Sequence, residues 1–409
     1  MAKALNKGRT AFAVTGLLIL LATEILRVYF IMPFPGSQQA NTIGVAYFID
    51  RYILFFRIIG WLILLPALVY YFGRGKNWQR VLLGLFLIFY GFVFYLFNFK
   101  FLADKMFYQP LSKNFGTPSG DSVSLDKLVI GVAIRDEAKA YPIEIIGYHH
   151  QVKDTVGGEP VMVTYCTVCR TGRVYSPFVN GKYELFRLVG MDHFNAMFED
   201  AATKSWWRQA TGEAIAGSLK GSSLPEIPSA QMRLGDWLAL HPRSLVLQPD
   251  THFLAKYDSL RGYDRGTISG DLERRDTASW KFKSWVIGVN IKGESRAYDW
   301  NGLVRNKMIS DTLANIPILL TVEPNGQSFY VFTPGDSLHF TYDASKDQLR
   351  ETSGGSSWQP NGICIDGILK GKRLTQLQAY QEFWHSWHSF HPLTGRYGYT
   401  GQATESAGK

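Results

Sequence analysis

Apolar residues are arranged in two ways along this chain. Up to residue 105 they run together, in stretches at 11–32, 52–72 and 81–99. Each stretch is long enough to cross a hydrocarbon core of about 30 Å as a helix. Beyond residue 105 the runs shorten to strand length and are punctuated by turn residues. The segment 129–134 is β-branched and bounded by the polar turn 135–139, which predicts a strand. Helical spacing of Ile143, Ile146 and Tyr148 predicts a short helix over 141–149. Asp154–Gly158 reads as a turn, followed by strands at 160–165, 173–178, 183–189 and 195–199, with Asn180-Gly181 as a hairpin signal.

The same text then occurs again. Val129-Ile130-Gly131-Val132 answers Val286-Ile287-Gly288-Val289, Ala140-Tyr141 answers Ala297-Tyr298, and Asp154-Thr155 answers Asp311-Thr312, at a constant offset of 157. Later anchors follow at an offset of 150: Gly212 with Gly362, Trp237 with Trp387, and His241-Pro242 with His391-Pro392. The second copy predicts strands at 286–291, 317–322 and 328–333 and a helix near 300–305. Each copy closes with an amphipathic helix that His-Pro terminates. The expected fold class is therefore an α-helical membrane anchor of three transmembrane helices, followed by a β-rich α+β ectodomain of two pseudo-symmetric repeats. The boundaries are 1–105 for the membrane region, 106–250 for the first lobe, 251–284 for a linker, 285–399 for a second, degenerate lobe, and 400–409 for a disordered tail.

Charge sharpens the membrane reading. The net charge is +9, with 46% hydrophobic and 19% charged residues. Residues 1–105 carry eleven Lys and Arg against Glu24, Asp50 and Asp104, so the excess belongs to the membrane part and points away from nucleic acid. Basic residues flank the start (Lys3, Lys7, Arg9) and the link between the second and third spans (Arg74, Lys76, Arg80). Positive segments stay cytoplasmic. The expectation is a cytoplasmic (inner) membrane protein with its N-terminus inside and its C-terminal domain periplasmic. Glu24 and Arg27 fall on one face of the first span and are expected to form an internal pair that also meets Arg57.

Positions loaded with chemistry in one copy alone are the candidates for function. Cys166, Cys169 and Arg170 stand where the second copy has Glu323, Gly326 and Gln327. Three chemistries fit Cys166-x-x-Cys169. A dithiol could cycle, with Arg170 and Arg173 favouring a thiolate. A zinc or copper ion could be held, with His149 and His150 completing the ligands. A static disulfide is the third. His149 and His150 also read as helix-terminal residues satisfying carbonyls. Met191, His193 and Met197 offer soft ligands but fit core and loop positions better. Cys364 reads as a buried small hydrophobe. His385, His388 and His391 drift around a helix and do not converge on one ion. No phosphate loop or nucleophile–base pair is legible.

Ala140-Tyr-Pro142, His149, Asp154-Thr-Val-Gly-Gly158, Val163-Thr-Tyr-Cys-x-x-Cys169, Ser205-Trp-Trp-Arg-Gln-Ala-Thr-Gly212 and Trp237…His241-Pro242 together resemble the domain-of-unknown-function 3179 family. The resemblance spans nearly all of 125–395. That family brings no established activity; its members are often attached to membranes. It commonly has an acidic residue where His150 stands, Pro where Thr167 stands and Gly where Arg170 stands. The expected function is thus a membrane-anchored extracytoplasmic protein using Cys166 and Cys169 for thiol redox work or metal binding. The alternative is a non-catalytic ligand-binding or assembly module with a structural disulfide. Expected partners are the lipid bilayer and either another envelope protein or a small-molecule ligand.

Overall fold

The computed structural model describes residues 2–120, 122–335 and 337–399; the expected tail at 400–409 lies outside the described residues. The chain divides into two compact units. One comprises Met1–Tyr108 and Pro177–Leu224, the other Gln109–Ser176 and Pro225–Lys409.

The first unit begins with helices α1 (Ala2–Tyr29), α2 (Ile43–Arg51), α3 (Ile53–Arg74) and α4 (Asn77–Phe99). Three of them, over Gly8–Tyr29, Ile53–Arg74 and Asn77–Phe99, are long and apolar enough to cross a membrane. Glycines bring α1 and α3 together: a Cβ on Gly16 would lie 2.9 Å from the Gly60 carbonyl oxygen, and one on Gly60 would lie 2.7 Å from Leu20 Cγ. Small residues permit such close approach where lipid offers no hydrophobic drive. The expected pairing of Glu24 with Arg27 is corrected. Arg57 takes both oxygens of the fully buried Glu24, at 2.7 and 2.8 Å, while Arg27 turns to Asp50 at 2.7 Å. Asn98 joins the two pairs: its amide donates to Glu24 at 2.8 Å, and its oxygen accepts from Arg57 at 2.7 Å and Arg27 at 3.0 Å. Sequence spacing alone missed this because Asp50 lies on α2, a short helix that no long apolar run announces.

Strands Phe186–Asp192, Asn195–Asp200, Trp206–Arg208 and Ala214–Ala216 complete this unit as one antiparallel sheet. His193 (φ 49°) and Phe194 (φ 67°) form its first turn, and Asn180-Gly181 turns the small hairpin before it, as the sequence predicts. Met191 N–H donates to the Ile31 carbonyl at 2.6 Å, and Phe194 N–H to Gln38 Oε1 at 3.2 Å. The Tyr47 and Trp206 rings meet edge to face at 5.1 Å. Arg187 bonds Glu199 at 2.9 Å, which also accepts Trp206 Nε1 at 3.0 Å. The sheet therefore packs on the segment joining α1 to α3.

The second unit holds two sets of sheets. In the first set, Leu128–Ile134 pairs with Glu137–Pro142 and Ala230–Arg233, the helix Ile143–His149 follows, and Gln151–Val156, Glu159–Cys166 and Thr171–Tyr175 form a three-stranded sheet. In the second set, Trp285–Ile291 pairs with Glu294–Asp299 and Tyr380–Phe383, the helix Trp300–Asn306 follows, and Met308–Leu313, Ile316–Val322 and Phe329–Thr333 pair in order. Two expectations are corrected here. Tyr141 and Pro142 belong to a strand, not to the helix, because the turn closes at Arg135 (φ 54°) and leaves 137–142 free to pair. Likewise 151–156 is a strand, because Gly157 and Gly158 (φ 55° and 78°) make the reversal alone.

Detailed contacts recur in both sets. Tyr141 Oη donates to Asp154 at 2.7 Å, and Tyr298 Oη to Asp311 at 2.8 Å. Trp237 Nε1 donates to Ser244 at 2.7 Å, and Trp387 Nε1 to Thr394 at 2.8 Å. A Cβ on Gly131 would strike Trp237 at 2.3 Å, and one on Gly288 would strike Trp387 at 2.2 Å. Both glycines are thus required by a tryptophan laid flat on the strand. Met232, Leu234 and Trp237 share one apolar core with Tyr330, Phe332 and Trp358.

Candidate functional site

Cys166 ends the strand Glu159–Cys166, and Cys169 lies in the tight turn before Thr171. Arg170 adopts φ 56°, so the chain reverses at once and both sulfurs stay inside. Both cysteines are completely buried and unbridged, and they hydrogen-bond to each other. Burial pushes the Cys169 thiol well up, and the neighbouring Cys166 and Glu382 add to that; a Ser386 hydrogen bond opposes it. The surroundings therefore favour the neutral thiol, whereas reactive thiols sit in electropositive, partly exposed places.

The two arginines expected to favour a thiolate are engaged elsewhere. Arg170 is buried. Its Nε donates to Gln381 Oε1 at 2.9 Å, and its other nitrogens reach the carbonyls of Tyr263 and Asp264 at 3.4 and 3.3 Å. Its guanidinium lies 3.8 Å from the Trp285 ring centroid, a contact worth about 2 kcal/mol when desolvated. Arg173 forms a buried ion pair with Glu382 and lies 3.3 Å over the Tyr380 ring. Thr171 Oγ1 meets Ser386 Oγ at 3.2 Å, and Ser386 donates to Glu382 at 3.0 Å. The backbone joins in: Phe383 N–H donates to the Cys169 carbonyl at 3.0 Å. Every polar group of the turn named here is taken up by 263–285 or 381–386. Gln231 Nε2 donates to the same Gln381 Oε1 at 3.0 Å, and in the other set Ser328 Oγ donates to Asp236.

The expected metal ligands are not gathered. His149 Nε2 meets Tyr257 Oη at 2.7 Å, and its ring packs on Phe253 at 5.1 Å. His150 caps its helix at φ 60°, with Nδ1 3.2 Å from the Tyr148 carbonyl. Burial pushes its pKa down to about 4, so it is neutral near pH 7. Among the described residues no group of three or more His, Cys, Asp or Glu is placed to hold a metal ion. Met191 and Met197 are buried in the sheet of the first unit, and His193 sits in its turn against Asp192. His385 stacks on Phe282 at 4.2 Å and His391 on Trp387 at 3.8 Å, so these two histidines serve packing. Cys364 is buried, as expected.

Residues 114–394 match the family model described as Protein of unknown function (DUF3179). The chain belongs to that family. No curated protein and no solved structure matches it. The DUF3179 match ends within the second set of sheets and contains the whole surroundings of the cysteine turn.

Reading from the sequence missed Glu382, Ser386, Tyr263 and Asp264. One signal was present: Glu382 is an acid inside the strand Tyr380–Phe383 and stands, at offset 150, opposite Met232. Asp264 had no such signal. It is buried, accepts Leu128 N–H at 3.1 Å on one oxygen, and has no hydrogen-bond partner on the other among the described residues. Burial, with Glu144 nearby, pushes its pKa up to about 7. An unfolded aspartate titrates near 4. The folded DUF3179 domain therefore holds this proton where the unfolded chain has lost it. The contribution to stability is complete below about pH 4 and declines as pH rises to about 7. Asp264→Asn should remove that decline. Denaturation midpoints of both proteins between pH 4 and 8 test it, and parallel profiles would count against a raised pKa.

Proposed function

We propose that this DUF3179 protein is a membrane-anchored ligand-binding or assembly module of the cell envelope, in which the Cys166–Cys169 turn is a static lock between two duplicated lobes. The lobes comprise 106–250 and 285–399, joined by 251–284. Duplication is supported by the matched Trp–Gly, Tyr–Asp and Trp–Ser/Thr contacts. The observation that carries the lock is the complete engagement of the turn: Arg170 with Gln381 and Trp285, Arg173 with Glu382, and the Cys169 carbonyl with Phe383. Thiol redox work and zinc or copper binding through Cys166 and Cys169 have less in their favour, because the sulfurs are buried, the thiol is held neutral and His149 and His150 are occupied with other partners.

The orientation we favour puts the N-terminus in the cytoplasm and the domain after α4 in the periplasm, with the inner-membrane bilayer as the first partner. Support comes from the basic N-terminus and α3–α4 link, and from the packing of the 186–216 sheet on the α1–α3 connection. An envelope protein or a small molecule is the second partner.

Full-length protein in mild detergent should take up no maleimide at Cys166 or Cys169, with or without a phosphine reductant. All three cysteines should react after denaturation and reduction. Rapid labelling of Cys166 or Cys169 in the native, reduced protein would overturn the lock and favour redox work.

A further inference from the structure

The two lobes differ at one place where their backbones agree. Ala230 pairs with Gly131 in the first set, as Tyr380 pairs with Gly288 in the second. Cross-strand partners share a face, so each residue stands beside the tryptophan that covers its glycine. In the second set the Tyr380 ring fills that place, 6.4 Å from the Trp387 ring, and its hydroxyl donates to both oxygens of Glu226 at 2.8 Å. In the first set alanine leaves the place open. A cavity of about 270 Å³ lies there, bounded by Gly131, Ala230, Trp237, His241, Gln376 and Gln378. Gln376 stands to Glu226 as Trp387 stands to Trp237, at offset 150. The hydrogen-bonding group that receives the Tyr380 hydroxyl therefore has a counterpart on the cavity wall. The pocket opens to solvent on one side, and its volume has room for a ring.

We propose that this cavity binds a small planar aromatic ring carrying a hydroxyl, held beside Trp237 with its hydroxyl on Gln376, as Tyr380 is held beside Trp387. The inference deepens the ligand-binding reading and rests on the duplication. It is independent of the state of the cysteines. Ser229 N–H donates to Gln378 Oε1 at 3.1 Å, which holds Gln378 on the rim, and Gln376 stands exposed beside it.

The probe is p-cresol, the tyrosine side chain as a free molecule. Full-length protein labelled with 5-fluorotryptophan should show a saturable fluorine shift of the Trp237 resonance, assigned with W237F. Ala230→Tyr should abolish the shift while leaving the Trp387 resonance unmoved. Gln376→Leu should weaken p-cresol about 3- to 10-fold, the worth of one hydrogen bond, and leave toluene unaffected. No saturable shift in the wild type, or equal p-cresol binding by Ala230→Tyr, would overturn the site. A shift from methyl glucoside in place of p-cresol would overturn the aromatic assignment in favour of a sugar. Maleimide uptake at Cys166 would sink the lock without touching this result.

Discussion

Arg173→Ala should lower the stability of the full chain by about 3–5 kcal/mol, because it strands Glu382 in the interior without its cation. Few groups can share the burden. Glu382 is 1% exposed, and its other named contact is the Ser386 hydroxyl at 3.0 Å. Breaking a buried pair on one side is costly, whereas replacing both members with packed neutral groups is often close to neutral. The sequence offers a neutral pair at the offsets of 157 and 150. Tyr330 answers Arg173 and Met232 answers Glu382 in the sequence, and both are buried in a shared apolar core. The double variant Arg173→Tyr with Glu382→Met should therefore recover much of the loss. Urea titration of the detergent-solubilised protein, read as release of the buried thiols, compares both variants with the wild type. If the double variant is no more stable than Arg173→Ala, the pair does more than hold the lock.

The second large effect lies among the helices. Glu24→Leu removes the one carboxylate bonded to Arg57 among the described residues, leaving it with Asn98 and the Phe94 ring. An uncompensated arginine at depth in a bilayer costs about 3 kcal/mol. The variant should reach the membrane at reduced levels and melt earlier in detergent. Glu24→Leu with Arg57→Leu should restore both. Unchanged melting of the single variant would mean that water, and not Glu24, satisfies the guanidinium.

What the sequence disclosed, and what it hid, follow from the range of the interactions. The apolar runs at 52–72 and 81–99 are local signals, and the helices Ile53–Arg74 and Asn77–Phe99 fall on them. The Asn180-Gly181 hairpin and the His-Pro helix stops are likewise local. The cysteines were visible as a motif, but their surroundings were not. Glu382 and Gln381 lie more than two hundred residues from Arg173 and Arg170 and arrive only when the second set of sheets packs on the first. Arg170 illustrates the error this invites. Next to Cys169 in sequence, it reads as a thiolate partner; in the structure it points to Gln381, the Tyr263 and Asp264 carbonyls and the Trp285 ring. Tyr141 shows the opposite failure. Its strand was hidden because a two-residue reversal at Arg135 freed residues that a longer turn would have consumed.

The division of the chain has a consequence for shedding. Because 177–224 belongs to the unit of the helices, the polypeptide passes from one unit to the other at 108/109, at 176/177 and again at 224/225. A protease acting at the first crossing would not release the second unit into solution. The severed helices would still grip the 186–216 sheet through Ile31, Gln38 and Tyr47, and that sheet remains continuous with the rest of the chain on both sides. Liberation by cleavage at these junctions requires three cuts, where a singly tethered domain needs one.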